Sequence, residues 1–149
     1  MTDNSNNYRT GRHVVHALHA HIVLLTKYRR DPITDRVKEL LIGATREVCE
    51  RHGVTLVEAD GETDYLHLLV DYPPRVSISM LVGAIKTNTS KQVRTQGWPE
   101  VTDALRGQHF WSPSYLAIST GDEPLELIAD YIRIQRNPSK NAGRPKTTC

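Results

Sequence analysis

The chain has 149 residues, of which 38% are hydrophobic, and it carries a formal net charge of +2 at pH 7. This length suits a single domain with its own core, and two cysteines are too few for a disulfide framework, so the composition favours a reducing, cytoplasmic setting. No apolar run approaches the roughly 18 residues that a membrane span requires, and the amino terminus is too polar for a signal peptide.

The basic residues are concentrated at the carboxyl end. Residues 136–149 contain four of them and no acid, so the rest of the chain is slightly acidic. Net charge is therefore only weak support for nucleic-acid binding, which has to depend on local basic surface. We expect a disordered leader over residues 1–9, one domain over residues 10–137, and a basic flexible tail over residues 138–149.

An apolar run over residues 22–25 predicts the first strand, and four histidines lie close to its start (His13, His16, His19 and His21). His19 and His21 share one face of such a strand, a spacing that can hold a metal, although histidines there more often line the sheet or a partner surface. A basic patch with one aromatic ring follows the strand (Lys27, Tyr28, Arg29 and Arg30). We interpret it as a candidate phosphate contact, with a solvated strand end as the alternative.

The next segment predicts a helix that covers the core. Thr34 can cap a helix that begins at Asp35, and an apolar stripe continues to a left-handed cap at Gly53. A second strand is predicted over residues 54–59. The short connection that follows, residues 60–62, predicts an antiparallel hairpin with the third strand.

The third strand lies within residues 61–74, which read GETDYLHLLVDYPP. Side chains alternate along a strand, so Tyr65, His67 and Leu69 are expected on one face and Leu66, Leu68 and Val70 on the other. A phenol and an imidazole therefore point the same way from a strand that is otherwise apolar. This geometry can bind a metal or polarise a phosphate.

A second helix is predicted to begin at Ser77 or Ser79. Its later part mixes short hydroxyl and amide groups with cations that suit a phosphate backbone (Lys86, Lys91 and Arg94), although a solvated helix end has the same composition. A short helical piece is predicted over residues 101–105. Two aromatics, Trp111 and Tyr115, lead into a strand over residues 116–119, where they can stack on unpaired bases or pack in the core.

The last predicted helix opens at residues 121–124 and carries Tyr131 and Gln135, which are neighbours at positions i and i+4. Three segments taken in order resemble the HUH-type single-tyrosine transposases of the insertion-sequence 200/605 family. They are the third strand with its Pro-Pro turn, the phrase FWSPSY, and Tyr131 followed after three residues by Gln135. The resemblance spans residues 8–137. Two features depart from it: Tyr65 stands where the family has the first histidine of its HUH pair, and Arg133-Ile134 replaces an acid and an asparagine.

The order of strands and helices, together with the resemblance, predicts an α+β fold: a ferredoxin-like, four-stranded antiparallel sheet with helices packed on one face and the tyrosine on the carboxy-terminal helix. The resemblance implies a bacterial or archaeal single-stranded DNA transposase. Such an enzyme cleaves and rejoins hairpin-bearing element ends through a 5′-phosphotyrosine intermediate, here on Tyr131. It also implies a homodimer with shared active sites, and no membrane partner.

The same resemblance assigns the metal site. Mg²⁺ or Mn²⁺ is expected at His67 and Gln135, with Tyr65 in the place of the missing histidine. The residues expected to contact DNA are Lys27, Arg29, Arg30, Lys86, Lys91, Arg94, Trp111 and Tyr115.

Tyr65 leaves three outcomes open. It can ligate as a phenolate, a nearby group such as His19, His21 or Glu62 can replace it, or the site no longer holds metal. The alternative function is accordingly a catalytically impaired or domesticated relative that binds hairpin single-stranded DNA without cleaving it. A third hypothesis is a ferredoxin-like oligomer with an unrelated small ligand.

Overall fold

The computed structural model describes residues 9–10, 13–106, 109–119 and 125–136, without the side chains of residues 29, 125 and 136. The predicted tail lies outside the described residues, and so does the predicted leader except for Arg9. The elements in chain order are β1 (Arg9–Thr10), β2 (Val15–His16), β3 (His19–Thr26), α1 (Asp35–Arg51), β4 (Thr55–Glu62), β5 (Tyr65–Asp71), α2 (Ile78–Gln96), α3 (Pro99–Leu105), β6 (Trp111–Ile118) and α4 (Leu125–Arg136).

Four of the strands form the main sheet, in the order β4-β5-β3-β6, and every neighbouring pair is antiparallel. The predicted α+β fold with a four-stranded antiparallel sheet is thus confirmed. β1 and β2 form a separate two-stranded hairpin, which the sequence did not predict. Arg9 of this hairpin donates to the carbonyl oxygen of Asp71 at 3.0 Å and so ties it to the end of β5.

One face of the sheet carries the main core. Leu66, Leu68 and Val70 of β5 are buried there, as the predicted alternation requires, together with Ile22 and Leu24 of β3. The buried stripes of α1 and α2 cover this face, and α3 adds Val101 and Leu105 to the same cluster.

The terminal helix α4 packs on the opposite face. Its Ile128 and Ile132 contact Val23 and Leu25 of β3, which alternate with the residues of the main core. Helices on a single face were predicted, and this description fits α1, α2 and α3 but not α4. The physical reason lies in β3: residues 20–26 are all buried, and a strand that is apolar on both sides needs cover on both sides.

Several element boundaries differ from the predicted ones. The turn between β4 and β5 lies at residues 63–64 rather than 60–62, because the strand pairing continues through the pairs Gly61 with Leu66 and Glu62 with Tyr65. Helix α2 begins after Ser77, one of the two predicted caps, whose hydroxyl accepts a hydrogen bond from the Met80 backbone, and it continues through the polar run to Gln96. Strand β6 begins at Trp111, earlier than predicted. None of the described helices is long and apolar enough to cross a membrane.

Candidate active site and nucleic-acid interface

Strand β5 places Tyr65 and His67 on the sheet face that α4 covers. Both side chains are half-buried, and Tyr65 packs against the small cluster formed by α4 and β3. Tyr131 of α4 packs against the same cluster. The fold therefore brings Tyr65, His67 and Tyr131 to one face, as their predicted roles require. Gln135 lies one helical turn beyond Tyr131 and is half-buried.

His67 has an imidazole neighbour that belongs to another strand. The Nδ1 atom of His21 lies 3.0 Å from the Nε2 atom of His67, and the two rings are nearly parallel, at 13°. Their centroids are 5.2 Å apart. The distance between the centroids is close to the nitrogen–nitrogen distance plus the radii of the two rings. The rings therefore lie side by side, edge to edge, and not one above the other. His21 is only 5% exposed.

Two carboxylates flank these groups on β4. The Tyr65 hydroxyl donates to Glu62 at 3.1 Å, so the Tyr65 phenol acts as a hydrogen-bond donor here. Asp60 lies directly across from His67 in the strand register. Hydrogen bonds from the Gly61 backbone and from Lys38 lower the pKa of Asp60, and the adjacent His67 adds to the effect.

The phenol of Tyr131 is anchored to the edge strand β6. Its hydroxyl donates to the Ser114 hydroxyl at 3.0 Å, and the Ser114 hydroxyl lies 3.2 Å from that of Ser112. The Lys86 ammonium donates to the carbonyl oxygens of Ser112 and Ser114, at 2.7 and 3.4 Å. Burial lowers the pKa of Lys86. The hydroxyls of Ser114 and Ser112 thus continue from the candidate nucleophile along β6, and the half-buried Lys86 ammonium is held by the backbone of the same two serines.

Ser112 and Lys86 also line a cavity with a volume of about 630 Å³. Its described lining holds three cationic side chains and no acid, and comprises Lys27, Lys86, Thr87, Ser90, Arg94, His109, Phe110, Trp111, Ser112 and Pro113. A concave site with cations, hydroxyls and aromatic edges has the chemistry to bind a phosphate with an attached base. We refer to it below as the basic cavity.

The structure separates the predicted DNA contacts into two groups. Lys27, Lys86, Arg94 and Trp111 border the basic cavity. Trp111, however, is 6% exposed and its indole donates to the Thr89 hydroxyl at 2.9 Å, so its ring belongs to the core and only part of it borders the cavity.

The other predicted contacts lie elsewhere. Tyr115 is half-buried, with the Lys86 ammonium 5.6 Å from its ring centroid. Lys91 is exposed on α2 outside the lining of the basic cavity. Arg30 donates to the Ala104 carbonyl oxygen at 3.2 Å. The side chain of Arg29 lies outside the described part of the chain.

Tyr28 was predicted as the aromatic member of the basic patch but not among the residues expected to contact DNA. Tyr28 has a positive φ of 72°, is 38% exposed, and lies between Lys27 and Arg30, whose charged groups are 5.7 and 5.0 Å from its ring centroid. A non-glycine residue in this conformation often marks a functional position. Ser112 and Ser114 were recognised only as part of FWSPSY, although their two-residue spacing puts both hydroxyls on one face of a strand.

The fold and the site define a small α+β protein with a tyrosine helix over a histidine-bearing strand and a cationic cavity beside α2. The sequence profile of the family described as "Transposase IS200 like" matches residues 14–135, and the chain belongs to this family of transposases. The predicted family is therefore confirmed.

Individual relatives agree with this assignment. A transposase for insertion sequence element IS200 from Salmonella typhimurium is 29% identical over 120 residues, which cover 80% of this chain and 78% of the relative. The ISDra2 transposase TnpA of Deinococcus radiodurans is 25% identical over 129 residues, covering 87% of this chain and 91% of the relative.

Two solved structures are similar. A crystal structure of a proposed transposase from Deinococcus radiodurans R1 matches with a TM-score of 0.76 and 28% identity, over 85% of this chain and 97% of the other. A REP-associated tyrosine transposase bound to a REP hairpin matches with a TM-score of 0.55 and 16% identity, over 95% of this chain and 75% of the other. The second similarity concerns the fold alone.

Proposed function

We propose that this transposase cleaves and rejoins single-stranded DNA through a covalent intermediate on Tyr131. The phenolic oxygen forms a bond to the scissile phosphorus, the bond from phosphorus to the 3′ oxygen breaks, and the DNA keeps a 5′-phosphotyrosine link and a free 3′-hydroxyl. The phosphotyrosine bond conserves the energy of the broken bond, so a later DNA hydroxyl can reverse the attack without ATP. The observation that carries the proposal is that Tyr131 and His67 lie on one sheet face in a chain of this family.

Tyr131 needs help to act, because a phenol with a pKa of about 10 is a weak nucleophile at neutral pH. Its hydrogen bond to Ser114 holds the oxygen in place, and the Ser114–Ser112 contact offers a path for the phenolic proton toward the basic cavity. The proton released by Tyr131 balances the one that the departing 3′ oxygen takes up.

A divalent cation, Mg²⁺ or Mn²⁺, belongs to the proposal. The donor set is suitable, because His67 offers its Nε2 atom 3.0 Å from a second imidazole nitrogen. His67 and Gln135 are the residues that would hold the ion. Bound there, it would polarise the scissile phosphate and offset the charge that develops on it.

The proposed partner is hairpin-bearing single-stranded DNA. Lys27, Lys86 and Arg94 surround the basic cavity and supply the positive charge that attracts phosphates. Tyr28 offers an exposed ring for base stacking beside Lys27. The homodimer with shared active sites stays a prediction, and in the structure α4 packs on the sheet of its own chain.

The test is adduct formation. The protein is incubated with single-stranded hairpin oligonucleotides and Mn²⁺, and a protein–DNA adduct that resists denaturation is sought. Tyr131→Phe should abolish the adduct because it removes the attacking oxygen, whereas Tyr72→Phe, which changes a half-buried tyrosine beyond β5, should keep it. An adduct that survives in Tyr131→Phe contradicts the assigned nucleophile, and failure of the parent protein to bind such DNA contradicts the function.

A second candidate function, hairpin DNA binding without cleavage, is favoured by the hydrogen bond from Tyr65 to Glu62. That bond keeps the proton on the phenol, and a neutral phenol is a poor metal ligand. The same assay separates the two functions. An adduct from Tyr65→His together with DNA binding but no adduct from the parent supports the non-cleaving protein.

A further inference from the structure

The contact between His21 and His67 joins two strands of the sheet. In the register of β3 and β5, His67 lies across from Val23 and His21 across from Leu69, so the two histidines are diagonal neighbours on one face. A metal pair formed by alternation along β5 would instead use positions 65 and 67. Position 65 supplies a phenol that is engaged with Glu62. The imidazole nitrogen that the structure places next to His67 therefore comes from β3.

The distance suits two ligands of one ion. Metal–ligand bonds of about 2.1 Å that meet at roughly 90° place adjacent donors about 3 Å apart. The Nδ1 atom of His21 and the Nε2 atom of His67 are separated by 3.0 Å. In the absence of an ion the same contact is an N–H···N hydrogen bond, so both nitrogens have a partner. To bind an ion, the rings tilt so that both nitrogen lone pairs point to one position.

We propose that His21 supplies the second imidazole of a divalent-metal site with His67, so that the ligand pair spans β3 and β5 instead of alternating along β5. The proposal deepens the proposed function and rests on it, because it explains how a chain with Tyr65 retains a site for the ion. Burial of His21 fixes its ring, and a fixed donor loses less freedom when it binds.

The remaining coordination positions have identifiable donors. The described residues contain no group of three or more histidine, cysteine, aspartate and glutamate side chains placed to hold one ion. We assign the positions beyond the two imidazoles to the amide of Gln135, which lies one helical turn beyond Tyr131 on α4, to water and to DNA phosphate oxygens. Two nitrogen ligands favour Mn²⁺ and Co²⁺ over Mg²⁺.

The test measures metal binding by the full chain without DNA. Free Mn²⁺ is followed by electron paramagnetic resonance, and Co²⁺ by its visible absorption, which reports nitrogen ligation. His21→Ala and His67→Ala should each weaken binding at least tenfold. The matched control is His19→Ala, because His19 lies on the same strand and face but pairs with Asp71 at 3.5 Å, and this variant should bind as the parent does.

A rescue experiment distinguishes ligation from structural support. Tyr65→His in the His21→Ala background restores an alternating pair on β5 and should recover binding to within a few-fold of the parent. His21→Val, a β-branched substitution suited to a buried strand, provides a second variant if His21→Ala unfolds, and thermal melting identifies which variants are folded.

The outcomes are decisive. A parent protein that binds neither ion at millimolar concentration, or folded His21 variants that bind as tightly as the parent, overturn the proposal. Failure of the proposed function is recognised separately, because an adduct that survives in Tyr131→Phe would overturn the assigned nucleophile, whereas metal binding is measured without DNA. A parent protein that forms the adduct but binds neither ion would refute the metal site and leave the nucleophile in place.

Discussion

Ser114 contacts three different groups of the candidate site. Its hydroxyl accepts the hydrogen bond of Tyr131, its carbonyl oxygen is near the Lys86 ammonium, and its backbone N–H faces the Ser112 hydroxyl at 3.4 Å. One residue of the edge strand thereby links the tyrosine helix to the cation of α2. At the scale of single residues, the phenol of the candidate nucleophile is oriented both by its packing on α4 and by this serine.

We expect Ser114→Ala to slow adduct formation roughly tenfold while hairpin DNA affinity stays the same, because one hydrogen bond of about 1–1.5 kcal/mol positions the phenol. Single-turnover cleavage rates measured from pH 6 to 9 check this. If the Ser114 hydroxyl also accepts the phenolic proton of Tyr131, its loss changes the pH dependence of the rate. Ser114→Thr keeps the hydroxyl and should restore most of the rate. Equal rates for parent and Ser114→Ala at every pH would show that the contact has no role in the reaction.

At the scale of elements, helices α1 and α3 are joined by a polar clamp. Arg36 donates to both carboxylate oxygens of Glu100, at 2.6 and 2.7 Å, and Thr34 donates to the same group at 2.8 Å. The Arg36 guanidinium also lies 4.5 Å from the ring centroid of Trp98. The hydrogen bond from Arg36 is the main reason that the pKa of Glu100 falls to about 2. Thr34 was predicted as a helix cap, and the structure uses its hydroxyl to hold α3 instead.

This clamp makes a pH-dependent contribution to stability. The Glu100 carboxyl group has a pKa of about 2 in the folded chain, against roughly 4.3 in the unfolded chain. Its charge therefore stabilises the fold above the unfolded pKa, and this stabilisation is lost as the pH falls toward the folded pKa. We therefore expect the urea midpoint of the parent to drop between about pH 4.5 and pH 2. Glu100→Gln should start lower at neutral pH and fall less steeply over that window.

Glu39→Gln provides the control for the clamp, because Glu39 is exposed on α1 and its loss should leave the pH profile of the parent unchanged. A Glu100→Gln profile parallel to that of the parent would mean that other carboxyl groups govern the acid response.

At the scale of the whole molecule, a small net charge is combined with one cationic cavity. The formal net charge is only +2, yet three cations converge on one cavity whose described lining has no acid. Such a distribution gives salt-sensitive binding at one place without general attraction to polyanions. Single-stranded DNA should therefore be bound through few phosphates, with the basic cavity as the centre of the contact.

The salt dependence of binding tests this arrangement. Arg94→Ala should weaken hairpin DNA binding and reduce the slope of log K against log salt by about 0.7 for each phosphate that the variant no longer neutralises. Lys91→Ala, on the same helix but outside the cavity lining, should change both quantities much less. Fluorescence anisotropy at several salt concentrations provides the measurement. Equal effects of the two substitutions would place the DNA along α2 rather than at the basic cavity.

The sequence by itself determined the local features of this protein. The alternation of residues 65–70, the start of α1 at Asp35, the Ser77 cap and the neighbouring Tyr131 and Gln135 all follow from residues close together in the chain. Caps and periodicities act over a few residues, so they can be read without a fold. The motifs that carry the family resemblance are of the same local kind.

Only the tertiary structure decided which distant side chains meet. The burial of β3 on both faces placed α4 opposite α1 and α2, and the register of β3 with β5 put His21 beside His67. Packing also turned Trp111 toward Thr89 and left Tyr28 exposed. A shift of one residue in register would move every side chain of a strand to the other face. That register depends on burying the whole sheet, and no short stretch of sequence contains it.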